Sequence, residues 1–225
     1  MASADETNAD TRMSQIENPI RPVALFAIAV TGVVATAFLG ALTNSINGYV
    51  SPHYFVTVLR WGNVEDVWRA SVAQGVFEGL LSGLFFSLVF TIGVGIITRA
   101  ACTYRFAIRH LAGIIAGAFA CWLIGGTAAM LLATISPEFY RSAFIGVPRE
   151  FDAMLAYAWV GGSILGVQLG GLVCVALGLV VLRANWRRQT ERRLVPIGVE
   201  ERTLREPAGD SPTVRSSDVR PGQSF

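Results

Sequence analysis

The chain has 225 residues, of which 52% are hydrophobic and only 15% are charged. A soluble domain carries about 25% charged residues, and here the charges are also segregated from long uncharged stretches. This composition excludes a disordered chain, a small disulfide scaffold and an ordinary soluble domain. It indicates a protein whose solvent is largely lipid.

The cysteines and the net charge exclude several kinds of site. Cys102, Cys121 and Cys174 form no Cys-x-x-Cys or Cys/His spacing, so we expect neither a disulfide framework nor a metal site. We also expect no cofactor. A net charge of +2 leaves no basic footprint for nucleic acid.

Four uncharged stretches are long enough to cross a membrane, at about 22–42, 75–98, 110–131 and 160–183. A helix of about 20 residues covers a hydrocarbon core of about 30 Å. None of the stretches alternates with the period of a barrel strand. The sequence therefore predicts an all-α integral membrane protein, with a bundle of four transmembrane helices in residues 21–183.

The flanking residues predict how this bundle is oriented. Nine arginines lie near the span ends on the side that holds both termini, against four on the opposite side. The nine are Arg21, Arg99, Arg105, Arg109, Arg183, Arg187, Arg188, Arg192 and Arg193. The positive-inside rule then places both termini in the cytoplasm, and we expect a multi-pass protein of a bacterial inner membrane.

The parts outside the spans are assigned by composition. Residues 1–20 are polar and acidic and lack the basic start of a signal peptide, so we expect a disordered cytoplasmic N-terminus. Residues 184–225 predict a basic juxtamembrane segment and a disordered tail. Six residues are assigned to lipid headgroups: Arg183, Trp186, Arg187, Arg188, Arg192 and Arg193.

Two outer amphipathic segments, about 50–74 and 136–159, connect the spans. Each begins with a serine followed by proline, at Ser51 and Ser136. Because proline disfavours helix in the residue before it, we expect extended or turn structure there.

The chain resembles itself at an offset of 85 residues. Residues 50–55 and 135–140 share a β-branched residue, Ser, Pro, any residue and two aromatics. Gly32 and Gly40 align with Gly117 and Gly125 at the same offset. At an offset of 87 residues, the glycines at 75, 79 and 83 align with those at 162, 166 and 170. The pattern predicts two tandem helical-hairpin repeats of parallel topology.

Small residues recur at helical spacing on every span, which predicts close helix packing in lipid. They are Gly32, Thr36, Gly40, Gly75, Gly79, Gly83, Gly113, Gly117, Gly162, Gly166 and Gly170. The preferred interpretation is packing within one chain. The alternative is a homo-oligomer that uses the stripe of the second or the fourth span.

One acid lies at the edge of a span. Glu78 is expected at the outer level of the membrane core, where Asn44, Asn47, His53 and Gln74 complete a candidate polar pocket. An acid at this level marks either a bridge between helices or an ion or proton site. Within the fourth span, Gln168 is expected to bond across to a neighbouring helix.

These patterns favour a non-enzymatic bundle that acts through helix packing, oligomerisation or a membrane partner, and they identify no catalytic residue. The alternative is a small channel or carrier for an ion or small solute, with Glu78 at the outer mouth. A third interpretation is an outer-leaflet membrane enzyme that uses Glu78 and His53. The bilayer is the one partner that the composition itself implies.

Overall fold

A computed structural model describes the backbone of residues 21–205 and the side chains of residues 21–191. Its elements are helices: α1 Pro22–Val50, α2 Pro52–Val58, α3 Val67–Thr98, α4 Tyr104–Ile135, α5 Pro137–Ala143 and α6 Phe151–Arg205. The described part of the chain divides into two units, with the boundary after Trp186. The site described below lies in the first unit.

Four of these helices are long and apolar enough to span a membrane: α1, α3, α4 and the stretch Phe151–Glu191 of α6. Large apolar side chains cover their outward faces, with Phe38 71% exposed and Leu84 62% exposed. Apolar surface of this extent is covered by lipid, because contiguous patches of that kind are rare on soluble proteins. The chain is a polytopic membrane protein.

The helices reach beyond the predicted spans. α1 continues from residue 42 to Val50, and α3 begins at Val67 rather than at residue 75. Asp66 caps α3 by accepting a hydrogen bond from the Arg69 backbone N–H at 3.0 Å, which satisfies a donor that the helix itself leaves unpaired. α6 likewise continues as helical backbone to Arg205, where a juxtamembrane segment and the start of a disordered tail were expected.

The two Ser-Pro segments are short helices, not the predicted extended or turn segments. α2 and α5 each begin at the proline, with Ser51 and Ser136 as non-helical preceding residues. The restriction that proline imposes applies only to the residue before it. Proline itself suits the first helical position. Phe55 of α2 and Tyr140 of α5 are buried at corresponding places.

The spans pack as two hairpins, α1 with α3 and α4 with α6. A methyl group built at Gly79 would lie 2.6 Å from the Thr36 carbonyl oxygen of α1. In the second hairpin, a methyl group at Gly125 of α4 would lie 2.7 Å from the Gly166 α-carbon of α6. Such contacts bring backbones close enough for extensive van der Waals packing.

Gly113 is an exception among the glycines assigned to packing. It is exposed, and a methyl group there would meet nothing within 4 Å. Gly113 lies on a face of α4 turned away from the other described helices, so its small size serves no contact. Gly48 of α1, which the repeat pattern does not include, does approach α3 at Ser71.

The two ends of the bundle differ in what fills them. The turn end, where Arg99–Thr103 joins α3 to α4, holds an apolar cluster: Ile28, Phe90, Val94, Cys102, Ala107, Leu111, Ile114, Val175 and Leu182. The loop end, which carries α2 and α5, holds Ala133, Tyr140, Met154, Tyr157 and Ala158. Polar side chains lie between these two clusters.

Candidate functional site

A cavity of about 90 Å³ lies among all four spans. Most of its lining is apolar, but each span contributes a polar group. They include Asn44 and Asn47 from α1, Glu78 and Ser82 from α3, Trp122 from α4 and Gln168 from α6. A polar cavity inside a membrane bundle is costly to build, and such sites are usually functional.

The structure brings together three of the five residues assigned to the polar pocket. Asn44, Asn47 and Glu78 line the cavity. Gln74 is placed behind them and donates a hydrogen bond from Nε2 to Glu78 Oε1 at 2.7 Å. Gln74 therefore orients the carboxylate and leaves its second oxygen available.

His53 does not join this pocket. Its Nε2 lies 3.3 Å from the Gly146 carbonyl oxygen and 3.3 Å from Thr57 Oγ1. The ring lines a separate, open recess beside Pro148. Sequence spacing placed His53 near Glu78, but the helical turn of α2 points it toward the loop that precedes α6. The two side chains of the enzymatic interpretation thus line different recesses.

Asn47 joins the two hairpins at the cavity wall. The residue is 0% exposed, and its Oδ1 accepts a hydrogen bond from Ser163 Oγ of α6 at 3.1 Å. Its Nδ2 has no partner within the described part of the chain. A buried donor without a partner is destabilising, so the hydrogen bond to Ser163 is the one that holds the Asn47 amide among the described residues.

Trp122 is a second such donor. Its side chain is 2% exposed and lines the cavity, while Nε1 lacks a partner among residues 21–191. The ring is held by stacking on Phe119 and by an edge contact with Trp159, with centroids 5.3 and 5.4 Å away. These contacts fix the orientation of the indole ring.

Glu78 is half-buried and has no basic partner in the described residues, where the one salt bridge joins Arg69 to Asp66. Tyr54 of α2 lies close to it. Burial, and secondly the Glu78 carboxylate, raise the pKa of the Tyr54 phenol. The same ring lies 3.1 Å from a methyl group built at Gly161 of α6. Tyr54 therefore lies near both Glu78 of α3 and Gly161 of α6.

Apolar side chains line the cavity toward its turn end. Leu111 and Ile114 line it and also belong to the apolar cluster of the turn end. Phe86 lies 3.4 Å from a methyl group built at Gly171, so α3 and α6 also meet here. The polar groups therefore form a pocket that does not continue through the turn end.

Sequence reasoning missed several cavity residues. Ser82 lies one helical turn after Glu78, and that spacing was a usable signal. Trp122 lies mid-span, away from the interfaces that Trp usually occupies in membrane proteins, which was a second signal. Gln168 lines the cavity and bonds to no other helix within the described residues, contrary to expectation.

Four of the six residues assigned to lipid headgroups have described side chains. Trp186 packs edge-on against Phe106, with ring centroids 5.6 Å apart, and Arg183, Arg187 and Arg188 are exposed. Arg192 and Arg193 lie outside the described side chains. Within the described residues no three His, Cys, Asp or Glu side chains cluster as metal ligands.

The chain matches no protein-family model, no curated protein and no solved structure.

Proposed function

We propose that this protein is a small membrane carrier for a polar solute or ion, with Glu78 in its binding site. The observation that carries the proposal is the cavity lined by polar groups from all four spans. A bundle that served only as a packing unit would have no reason to place an acid and several amide side chains around one internal cavity.

A carrier is favoured over an open channel because apolar side chains interrupt a path beyond the polar groups. Leu111 and Ile114 line the cavity and also belong to the apolar cluster of the turn end. Carriers hold their site near the middle of the membrane and open it to one side at a time.

Corresponding contacts support the proposal that the two hairpins arose by repetition of one. Thr36 faces Gly79 and Gly83 in the first hairpin, and Cys121 faces Gly166 and Gly170 in the second. Cys121 lies 85 positions after Thr36, and Gly166 and Gly170 lie 87 positions after Gly79 and Gly83. The contacts thus correspond pair by pair.

A second pair of contacts supports the same conclusion. Gly32 meets Ser87 in the first hairpin, and Gly117 meets Cys174 in the second. We propose two tandem hairpins of parallel topology, each held by glycine contacts. Glu78 has no acidic counterpart, since its place in the second hairpin is taken by Leu165. The carrier would therefore have one site rather than two.

The bundle role remains the alternative function. Exposed apolar faces of the spans offer a surface to a membrane partner or a second copy. The glycines proposed for an oligomer face helices of the same chain, Gly79 toward α1 and Gly166 toward α4. An oligomer would thus use other faces.

Flux into purified proteoliposomes tests the proposal. We expect at least one of urea, glycerol, ammonium, potassium or chloride to cross faster than in protein-free vesicles. Glu78→Gln should abolish that flux because the charged oxygen is lost while the side-chain shape is kept. Glu65→Gln, which changes an exposed acid outside the cavity, is the matched control.

Two results would contradict the carrier proposal and favour the alternative role as a packing bundle. One is protein-free rates for all five solutes. The other is an equal effect of the Glu65 and Glu78 variants on flux.

A further inference from the structure

We propose that a groove between α1 and α4 binds an anionic phospholipid, with one acyl chain in the groove and the phosphate at Arg105 and Arg109. The groove opens to the lipid side of the bundle, where the first hairpin meets the second. It combines an apolar lining of one leaflet's depth with unpaired positive charge at its end. The proposal does not depend on the carrier function.

The lining of the groove is suited to a hydrocarbon chain. The groove has a volume of about 490 Å³, and Thr31 is the one described lining residue with a polar side chain. The Thr31 hydroxyl donates to the Ala27 carbonyl oxygen at 2.7 Å and lies 3.0 Å from the Tyr104 hydroxyl, so it is already paired. The lining therefore offers a polar occupant no free partner.

The length of the groove matches one leaflet of a bilayer. Along α4 the lining runs from Ile108 to Phe119, a rise of about 16 Å at about 1.5 Å per residue. Half of a hydrocarbon core of about 30 Å is about 15 Å. Ala112 and Ala116 lie between these ends and are exposed, so their small side chains leave room for an acyl chain along the helix.

Positive charge lies at the turn end of this groove. Arg105 and Arg109 each precede a lining residue of α4 by three positions, so both lie on the face of the helix that lines the groove. Both are exposed, and neither forms a salt bridge in the described residues. The sequences of α1 and α4 contain no acid. Guanidinium groups pair with phosphate oxygens through two parallel N–H donors, and basic pockets between membrane helices bind anionic headgroups.

The groove shares a wall with the internal cavity. Leu39 of α1 and Leu111 and Ile115 of α4 line both of them. An acyl chain in the groove would pack against these side chains from the lipid side and fill the space between the two helices. Since α1 and α4 belong to different hairpins, a bound lipid would hold the hairpins together, and its binding should raise the melting temperature.

Thermal unfolding in detergent with added phospholipid tests the proposal. Phosphatidylglycerol at about ten times its dissociation constant should raise the melting temperature by about 3–6 °C, and phosphatidylcholine with the same chains should raise it by less than half as much. Replacing both Arg105 and Arg109 by Gln should remove most of this difference. Replacing both Arg99 and Arg183 by Gln removes the same charge from exposed arginines outside α4, so this matched control should keep the difference.

A second pair of variants tests the groove without changing charge. Ala116→Phe places a large side chain in the groove and should also remove most of the shift that phosphatidylglycerol causes. Ala128→Phe is its control, because Ala128 is an exposed residue of α4 that does not line the groove, and it should keep the shift. Size-exclusion chromatography with light scattering on the same samples measures the oligomeric state.

Four outcomes would overturn the proposal. Equal shifts with both phospholipids, or equal losses in the two arginine pairs, would show that no specific anionic site exists. A full shift in the Ala116 variant would show that the lipid does not lie in the groove. A dimer that the Ala116 variant abolishes would show that a second copy of the chain occupies the groove instead. Solute flux is a separate measurement, so the carrier proposal stands or falls independently.

Discussion

The Ser163 hydroxyl of α6 donates a hydrogen bond to the Asn47 side chain of α1, and both residues are 0% exposed although they lie 116 positions apart in the chain. This contact joins the two hairpins beside the cavity that Asn47 lines. Asn47 is thereby held by one hairpin and oriented by the other.

Ser163→Ala should destabilise the bundle by about 0.6 kcal/mol, the average for hydrogen bonds between membrane helices. The loss arises because Asn47 keeps its buried amide without this partner. The free energy of unfolding in bicelles measures the effect. Ser142→Ala is the control, since that exposed hydroxyl bonds to the Phe139 carbonyl within α5, and an equal loss there would contradict the prediction.

Gly79→Ala should lower the free energy of unfolding by about 1–3 kcal/mol, the usual cost of overpacking. The added methyl would lie 2.6 Å from the Thr36 carbonyl oxygen and 2.7 Å from the Ala37 α-carbon, and neither backbone atom can move aside alone. Gly113→Ala should be neutral or stabilise by up to about 1 kcal/mol, because its surroundings are open. The melting temperatures of both variants in the same detergent test this prediction. Equal shifts for the Gly79 and Gly113 variants would contradict it.

The fold was predictable from the sequence to the extent that lipid dictates it. Uncharged length alone identifies four helices, because no other backbone arrangement satisfies its hydrogen bonds in a single hydrocarbon-spanning segment. The bounds were less predictable. α3 begins at Val67 because Asp66 caps it, and capping continues a helix past the point where hydropathy ends.

The site was predictable only in part, because it depends on how the helices rotate against each other. Asn44, Asn47 and Glu78 share a membrane depth, which residue spacing gives, and that was enough to group them. Trp122 and Gln168 come from helices whose faces toward the cavity are set by tertiary packing. His53 lies outside the pocket because α2 is a helix. The direction of its side chain depends on that helical turn, which the sequence did not predict.

The corresponding contacts of the two hairpins predict that Cys121 and Cys174 can be exchanged for the residues at their counterpart positions, Thr36 and Ser87. The double variant C121T/C174S should fold with a melting temperature within about 4 °C of the original, equivalent to about 1 kcal/mol at this size. The expectation holds because similar volumes face Gly117 and Gly170. C121L/C174L should melt much lower, since leucine would overlap those glycines; tolerance of both pairs would argue against the duplication.

Reporter fusions should place both termini in the cytoplasm. Nine span-flanking arginines on that side outnumber four on the other, and the excess of positive charge determines orientation. A green fluorescent protein at Phe225 should fluoresce, and a periplasmic phosphatase at the same place should be inactive. Insertion of the two reporters at Gly146 should reverse both readings. Phosphatase activity at Phe225 would instead show that the termini lie outside the cytoplasm.

Tyr140 predicts a loss of stability at alkaline pH. Burial, and secondly the nearby phenols of Tyr157 and Tyr54, raise the pKa of Tyr140 to about 12. The unfolded chain ionises this phenol near pH 10, so the folded state holds its proton longer. The stabilisation is therefore complete below about pH 10 and is lost as the pH rises toward 12.

Tyr140→Phe removes that dependence because it has no proton to release. Its melting temperature should fall less between pH 9 and pH 12 than that of the unmodified protein, measured in the same detergent. Tyr49→Phe is the control, since Tyr49 is 83% exposed, and it should retain the original decline. The same decline in the Tyr140 variant would show that other groups, not this buried phenol, govern alkaline stability.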